Sequence, residues 1–327
     1  MPFEIPRNNK FACVCLVFAA VDHRQREPIV LGDGLCGTFG TPFELDDAWR
    51  DWLGTVKTQN LQNVSLGLLA HRESVRLDVL DGENQALIDA ALSLFYALLM
   101  VEIFHHDGGF VVSGANNGGE IRVRQITDLG PHLRPNGARV SAVNMATLES
   151  AAVIASGIRA MYSAAEPSER LRQGFRAWLR GIRESIGADR LHEFVRATEA
   201  VVKPQVGRTE AQFVHRCQLF SGTSDAARTI VRELYQLRSQ TEHMNNFEPV
   251  LANYPVNDRD ALALRRAYQA QLLGSSVYKR LLTTVALRVH FASDDDTDAF
   301  WRRDMREQRA IWGDPIDLEA LATAQMM

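Results

Sequence analysis

The chain has 327 residues, 46% of them hydrophobic and 23% charged, with a formal net charge of −4. The length exceeds one typical domain of about 150 residues and points to two, and the composition excludes wholesale disorder. The net charge excludes a strongly basic nucleic-acid coat. Residues 1–150 hold 12 Lys and Arg against 18 Asp and Glu, and the remainder 24 against 22, so the charge permits RNA binding by the second half without requiring it.

The N-terminus carries an acid and two prolines before its first apolar run, with no small-residue cleavage pattern, and reads as that of a cytoplasmic protein. The run 11-FACVCLVFAA-20 reads as a buried strand, with Cys13 and Cys15 on one face. No CxxC pair occurs among the four cysteines, Cys13, Cys15, Cys36 and Cys217, which read as free buried thiols rather than as metal ligands. The glycine-rich 31-LGDGLCGTFG-40 lacks the Lys-Ser/Thr of a phosphate-binding loop and reads as a plain loop. Two further strands are expected at 64–70 and 74–80 around the polar turn 71–73. The segment 84–104 reads as a helix packed under a sheet, its apolar core of about twelve residues being too short for a bilayer, which needs roughly twenty. The tract 105-HHDGG-109 reads as a turn into a hairpin formed by 108–114 and 120–126 across 115-ANNGG-119.

The proline- and glycine-rich 127-TDLGPHLRPNGARV-140 marks the domain boundary. The expected fold is α+β: a mixed α/β domain of unknown role over 1–140, then an all-α helical bundle over 141–327. Helices are expected at 141–164, at 168–185 with Ser168 as cap, and at 189–202 with Asp189 as cap and Pro204 as stop. Others follow at 209–222, closed by Gly222, at 224–243, and at 258–290, where Gly274-Ser275-Ser276 is expected to kink a long helix. A final short helix should carry Trp301 and Trp312.

One constellation in the bundle carries chemistry. Arg238 and His243 enclose Ser239, Gln240, Thr241 and Glu242 at the end of the helix 231-VRELYQLRSQTEH-243. Together with 189-DRLHEFVRATEAVV-202 and 212-QFVHRCQLFSG-222, this stretch resembles the HEPN superfamily of helical-bundle ribonucleases, in particular its Apea-like branch. The signature there is Arg, four to six residues, then His. The resemblance covers roughly residues 165–290. It implies a metal-independent endoribonuclease, without cofactor, that works as a homodimer on RNA. Attack by the 2′-OH on the neighbouring phosphate would leave a 2′,3′-cyclic phosphate and a 5′-OH end, with His243 moving protons and Arg238 meeting charge on the phosphoryl oxygens. Stand-alone bacterial proteins of this type include toxins and antiphage effectors. Ser239, Glu242, Glu199 and Arg196 are candidates to line the cleft, each also readable as part of a solvated face; Tyr235 reads as core. The chain departs from the family pattern at Ser239, where Asn, Asp or His is usual after the Arg, and at Met244, where Gly is usual after the His. The alternative is an inactive HEPN bundle serving in dimerisation or RNA binding.

Overall fold

The computed structural model describes residues 4–326 except 23, 25–26, 43, 46, 131–139, 164–167 and 206. The architecture is α+β, with an antiparallel sheet in the N-terminal part and a helical C-terminal part. The chain forms two compact units, divided between Arg159 and Ala160. Most of the boundary tract expected at 127–140 lies outside the described residues. Residues 140–159, expected at the start of the bundle, belong to the first unit.

In that unit the elements run β1 (Asn9–Val17), β2 (Ile29–Gly32), β3 (Leu35–Thr38), α1 (Asp47–Leu53), α2 (Thr55–Gln62), β4 (Val64–Glu73), α3 (Gly82–Val101), β5 (Gly109–Asn117), β6 (Glu120–Leu129) and the first part of α4 (Met145–Ser163). The six strands form one sheet in the order β2-β3-β4-β1-β5-β6, each neighbouring pair antiparallel. β1 is central and buried along all nine residues, which is why its sequence is an almost unbroken apolar run. Phe11, Cys13 and Cys15 face a core shared with Trp49 of α1 and Leu61 of α2. The alternate positions of β1 face α3, whose buried residues include Leu87, Ala91, Leu94 and Leu98. Burial against the sheet accounts for the apolarity of α3, a helix that by length and composition alone could cross a membrane.

Two strand expectations change. The segment 74–80 is not a strand: β4 runs straight through the expected turn to Glu73, and Val75 beyond it is fully exposed. The glycine-rich 31–40 is instead the β2–β3 hairpin, turned by Asp33 and Gly34 at positive φ. A Cβ on Gly34 would meet the His71 carbonyl oxygen at 2.1 Å, so only glycine fits there. His105 pairs with Asp107 at 2.8 Å, and buried His106 accepts from the Gly108 N–H at 3.0 Å, as suits a turn into β5. All four cysteines are free and buried, with Sγ of Cys13 and Cys15 3.6 Å apart; burial pushes the Cys36 thiol up to about 11.

The second unit is helical: the end of α4, then α5 (Glu169–Gly181), α6 (Gly187–Val202), α7 (Thr209–Ser221), α8 (Asp225–Glu242), α9 (Glu248–Leu251), α10 (Arg259–Thr283), α11 (Val285–Arg288), α12 (Asp294–Arg302), α13 (Met305–Trp312) and α14 (Leu318–Met326). Ser168 and Ser224 cap α5 and α8 by accepting N–H bonds from Leu171 and Ala227. Asp189 does not cap α6; it lies in the first turn behind Ile186. α10 is continuous through Gly274, where an added Cβ would stand 3.5 Å from the Phe194 carbonyl oxygen, an ordinary van der Waals contact. Trp301 and Trp312 sit on two helices, α12 and α13, rather than on one.

α6 is the axis of the bundle and packs on α5, α7, α8 and α10. Its stripe Leu191, Phe194, Val195, Thr198, Val201 and Val202 is wholly buried. Two glycines let α5 lie close: a Cβ at Gly174 would stand 2.3 Å from Ala200 Cβ, and one at Gly181 2.9 Å from the Phe194 ring. That close approach brings the outer rows of α5 and α6 together.

Candidate functional site

Those outer rows, joined by the last turns of α8, line a groove of about 270 Å³. Arg170, Arg180, Gly174 and Ala177 come from α5, Arg196, Glu199 and Ala200 from α6, and Arg238 from α8. Its floor is made of small residues and its walls of four guanidiniums with a single carboxylate.

Arg238 is the best-held member. Leu234 and Leu237 seat α8 in the core, and the next residue emerges at the groove with its side chain 15% exposed. One Nη lies 3.1 Å from Glu199 Oε2, and the other pairs with Glu242 one turn on. Its Nε is buried without a hydrogen-bond partner among the described residues. Glu199 is 14% exposed. Burial pushes its carboxyl above the usual range, Arg238 opposes that shift, and the charge of Glu242 adds to it. Arg170 donates to the backbone oxygens of Ala200 and Glu199, at 3.2 and 3.1 Å. Arg180 and Arg196 share Glu193, at 2.9 and 3.8 Å, and are about half exposed.

His243 does not line the groove. It is the C-terminal cap of α8, its N–H bonding the Ser239 carbonyl at 3.1 Å, and its side chain is exposed. In an ideal helix, residues five apart differ by about 140° and about 7.5 Å of rise, so Arg238 and His243 leave α8 in different directions. Met244 follows at φ 56°, the left-handed conformation that glycine adopts freely, and is 94% exposed. Of the residues named from the sequence, the fold therefore gathers Arg238, Glu199 and Arg196 at the groove and ties Glu242 to Arg238. Ser239 contributes its carbonyl to the helix end, and His243 stands apart. Tyr235 packs on buried Phe213, with ring centroids 5.3 Å apart.

Three site residues escaped the sequence reading. Arg170 and Arg180 lie on the polar face of α5, where an arginine is ordinarily solvated. His192, on α6, hydrogen-bonds the backbone of Arg238; burial, with the Arg238 charge second, lowers its pKa, and its Nδ1 has no partner among the described residues. No signal at the level of spacing distinguishes it from a surface histidine. Among the described residues, no group of three or more His, Cys, Asp or Glu side chains converges as metal ligands. Guanidiniums lining such a groove can bind a phosphate or carboxylate by charge-assisted hydrogen bonds; proton transfer would fall to His243 or His192.

Compared with family models, curated proteins and solved structures, the chain finds no match.

Proposed function

We propose that the helical unit is a metal-independent endoribonuclease of the HEPN type, working as a cytoplasmic homodimer in the manner of a toxin or antiphage effector. The observation that carries the reading is the fixing of Arg238 at an arginine-lined groove while His243, five residues on, ends the same helix with an exposed side chain. Within one chain the two groups diverge; two α8 ends facing each other would set the Arg238 of one subunit and the His243 of the other on one phosphate. The 2′-OH would attack phosphorus as His243 takes its proton. The bond to the 5′-oxygen breaks, and that oxygen leaves with a proton from solvent, giving a cyclic phosphate and a 5′-OH end. Arg238 supplies a planar fork to the phosphoryl oxygens as charge builds. The buried, free cysteines accord with a reducing compartment.

The test is cleavage of labelled RNA in EDTA. The reading expects wild type to cut and His243→Ala not to cut. A second reading, a silent HEPN module that only binds RNA or dimerises, is favoured by one observation: Arg238 already has a carboxylate on each Nη. Binding of RNA by a dimer, with no cutting by wild type, would establish that reading in place of the nuclease.

A further inference from the structure

We propose that the groove between α5 and α6 is a phosphate subsite for the RNA strand, formed by Arg170, Arg180, Arg196 and Arg238, in which Glu199 is a stand-in anion that the phosphate displaces. The proposal takes RNA as the ligand from the nuclease reading; the site itself rests on the geometry of the groove.

Four guanidiniums line about 270 Å³. Their local carboxylates are three. Glu193 serves both Arg180 and Arg196, while Glu199 and Glu242 both go to Arg238. Arg170 bonds only carbonyl oxygens among the described residues, and those bonds hold it rigidly at the rim. The floor of Gly174, Ala177 and Ala200 lets an anion sink between the arginine walls. Glu199 faces Arg238 and Glu242 of α8, Arg170 of α5 and Arg196 of its own helix, with the Cys217 thiol of α7 nearby. It is the weak point of this set: burial disfavours its ionised form, so it holds Arg238 less firmly than a phosphodiester would. Displacing it exchanges a partly desolvated carboxylate for a permanently charged group whose oxygens match the guanidinium fork. Arg238 Nε, buried and unpartnered among the described residues, is a further donor beside the site. The subsite would hold a phosphate next to the one being cut and so fix the register of the strand.

The experiment follows the anisotropy of a fluorescein-labelled 2′-O-methyl oligoribonucleotide, which lacks the attacking hydroxyl, on the full chain. Variants are Arg180→Gln/Arg196→Gln and Glu199→Gln; both arginines are half exposed, so the double variant should fold, and circular dichroism checks it. The double variant should weaken binding tenfold or more and flatten the dependence of log K on log salt by roughly 1.4. Glu199→Gln should tighten binding several-fold. Unchanged affinity and salt slope in the double variant would overturn the subsite. Inorganic phosphate as competitor separates the sources: if it binds through Arg180 and Arg196 while the oligonucleotide is indifferent to them, the groove serves a free anion and the RNA assignment fails. The two readings also fail separately. RNA left uncut in EDTA, with oligonucleotide binding still dependent on these arginines, removes the nuclease and keeps the subsite; cutting with indifferent binding does the reverse.

Discussion

Each unit sets one cation against two carboxylates, and the two clusters differ in kind. In the sheet unit, Lys10 lies on the central strand, 1% exposed, 2.7 Å from Asp81 and 3.2 Å from Glu83. Asp81 is also the cap of α3, accepting the Glu83 N–H, so the ion pair ties a strand to the start of the helix that covers it. In the bundle, Arg238 also meets two carboxylates, but at the edge of a groove, with one nitrogen unpartnered among the described residues and three more arginines close by. A compact ammonium enclosed by its partners can do little but hold structure. A planar fork opening on a positively charged groove can change partners. The lesson is that a buried ion pair alone does not mark a site; access and surplus charge do.

The largest effects should separate the clusters by what they control. His243→Ala is expected to lower RNA cleavage by about 10²–10⁴, and Arg238→Ala by about 10²–10³, as for loss of a proton-transfer group and of an oxyanion partner. Lys10→Ala should leave cleavage per folded molecule unchanged. Gel assays at matched folded fractions check this, and a cleavage loss in Lys10→Ala would erase the distinction. Next in size, Lys10→Ala removes the buried cation from Asp81 and Glu83, leaving Asp81 with Arg76 at 3.5 Å, and should lower the melting temperature of the sheet unit by on the order of 5 °C; calorimetry showing no shift would make the clip incidental.

A smaller test uses pH, where the clusters carry opposite signs. The hydrogen bond from Lys10 is the largest cause holding Asp81 low, and that from Ser74 the largest for Glu83. Their contribution is present above the usual carboxylate values and is lost as pH falls through the lowered ones, from about pH 4 downward. Glu199 is raised, so its contribution is full below about pH 4.5 and is lost as pH rises through its folded value. His192, lowered by burial, opposes it below about pH 6.5. The Glu199 effect is therefore read as wild type minus Glu199→Gln, by hydrogen exchange resolved by region. That difference should grow in the bundle on acidification from pH 7 to 5; no growth would mean that Glu199 is not strained by burial. The smallest effect is expected at Met244. Glycine there removes about 1 kcal/mol of left-handed strain and should raise the melting temperature of the bundle by about 2–4 °C.

Much of the scaffold was legible in the order of the residues. β1 had to be a buried strand because nine residues with scarcely a polar one have no outward face, and the β5–β6 hairpin followed from Asn-Gly chemistry at its turn. α6 was legible from its stripe, and α8 from its stripe and Ser224. The errors share a cause. The segment 74–80 alternates like a strand yet pairs with no strand among the described residues, and the glycine-rich 31–40 reads as a loop although its Asp-Gly turn joins two short strands. Gly274 suggests a kink, yet α10 runs through it unbroken.

What the sequence determined by itself was local: the periodicities that make strands and helices, the caps that start them, and the Arg–His spacing that raised a chemical question. What tertiary structure alone decided was which polar side chains converge. Arg170, Arg180 and Arg196 look solvated on any single helix, and they become walls of one groove only because Gly174 and Gly181 let α5 press against α6. Arg238 and His243, neighbours in the chain, part company for an equally simple reason: five residues of α-helix carry them to different sides.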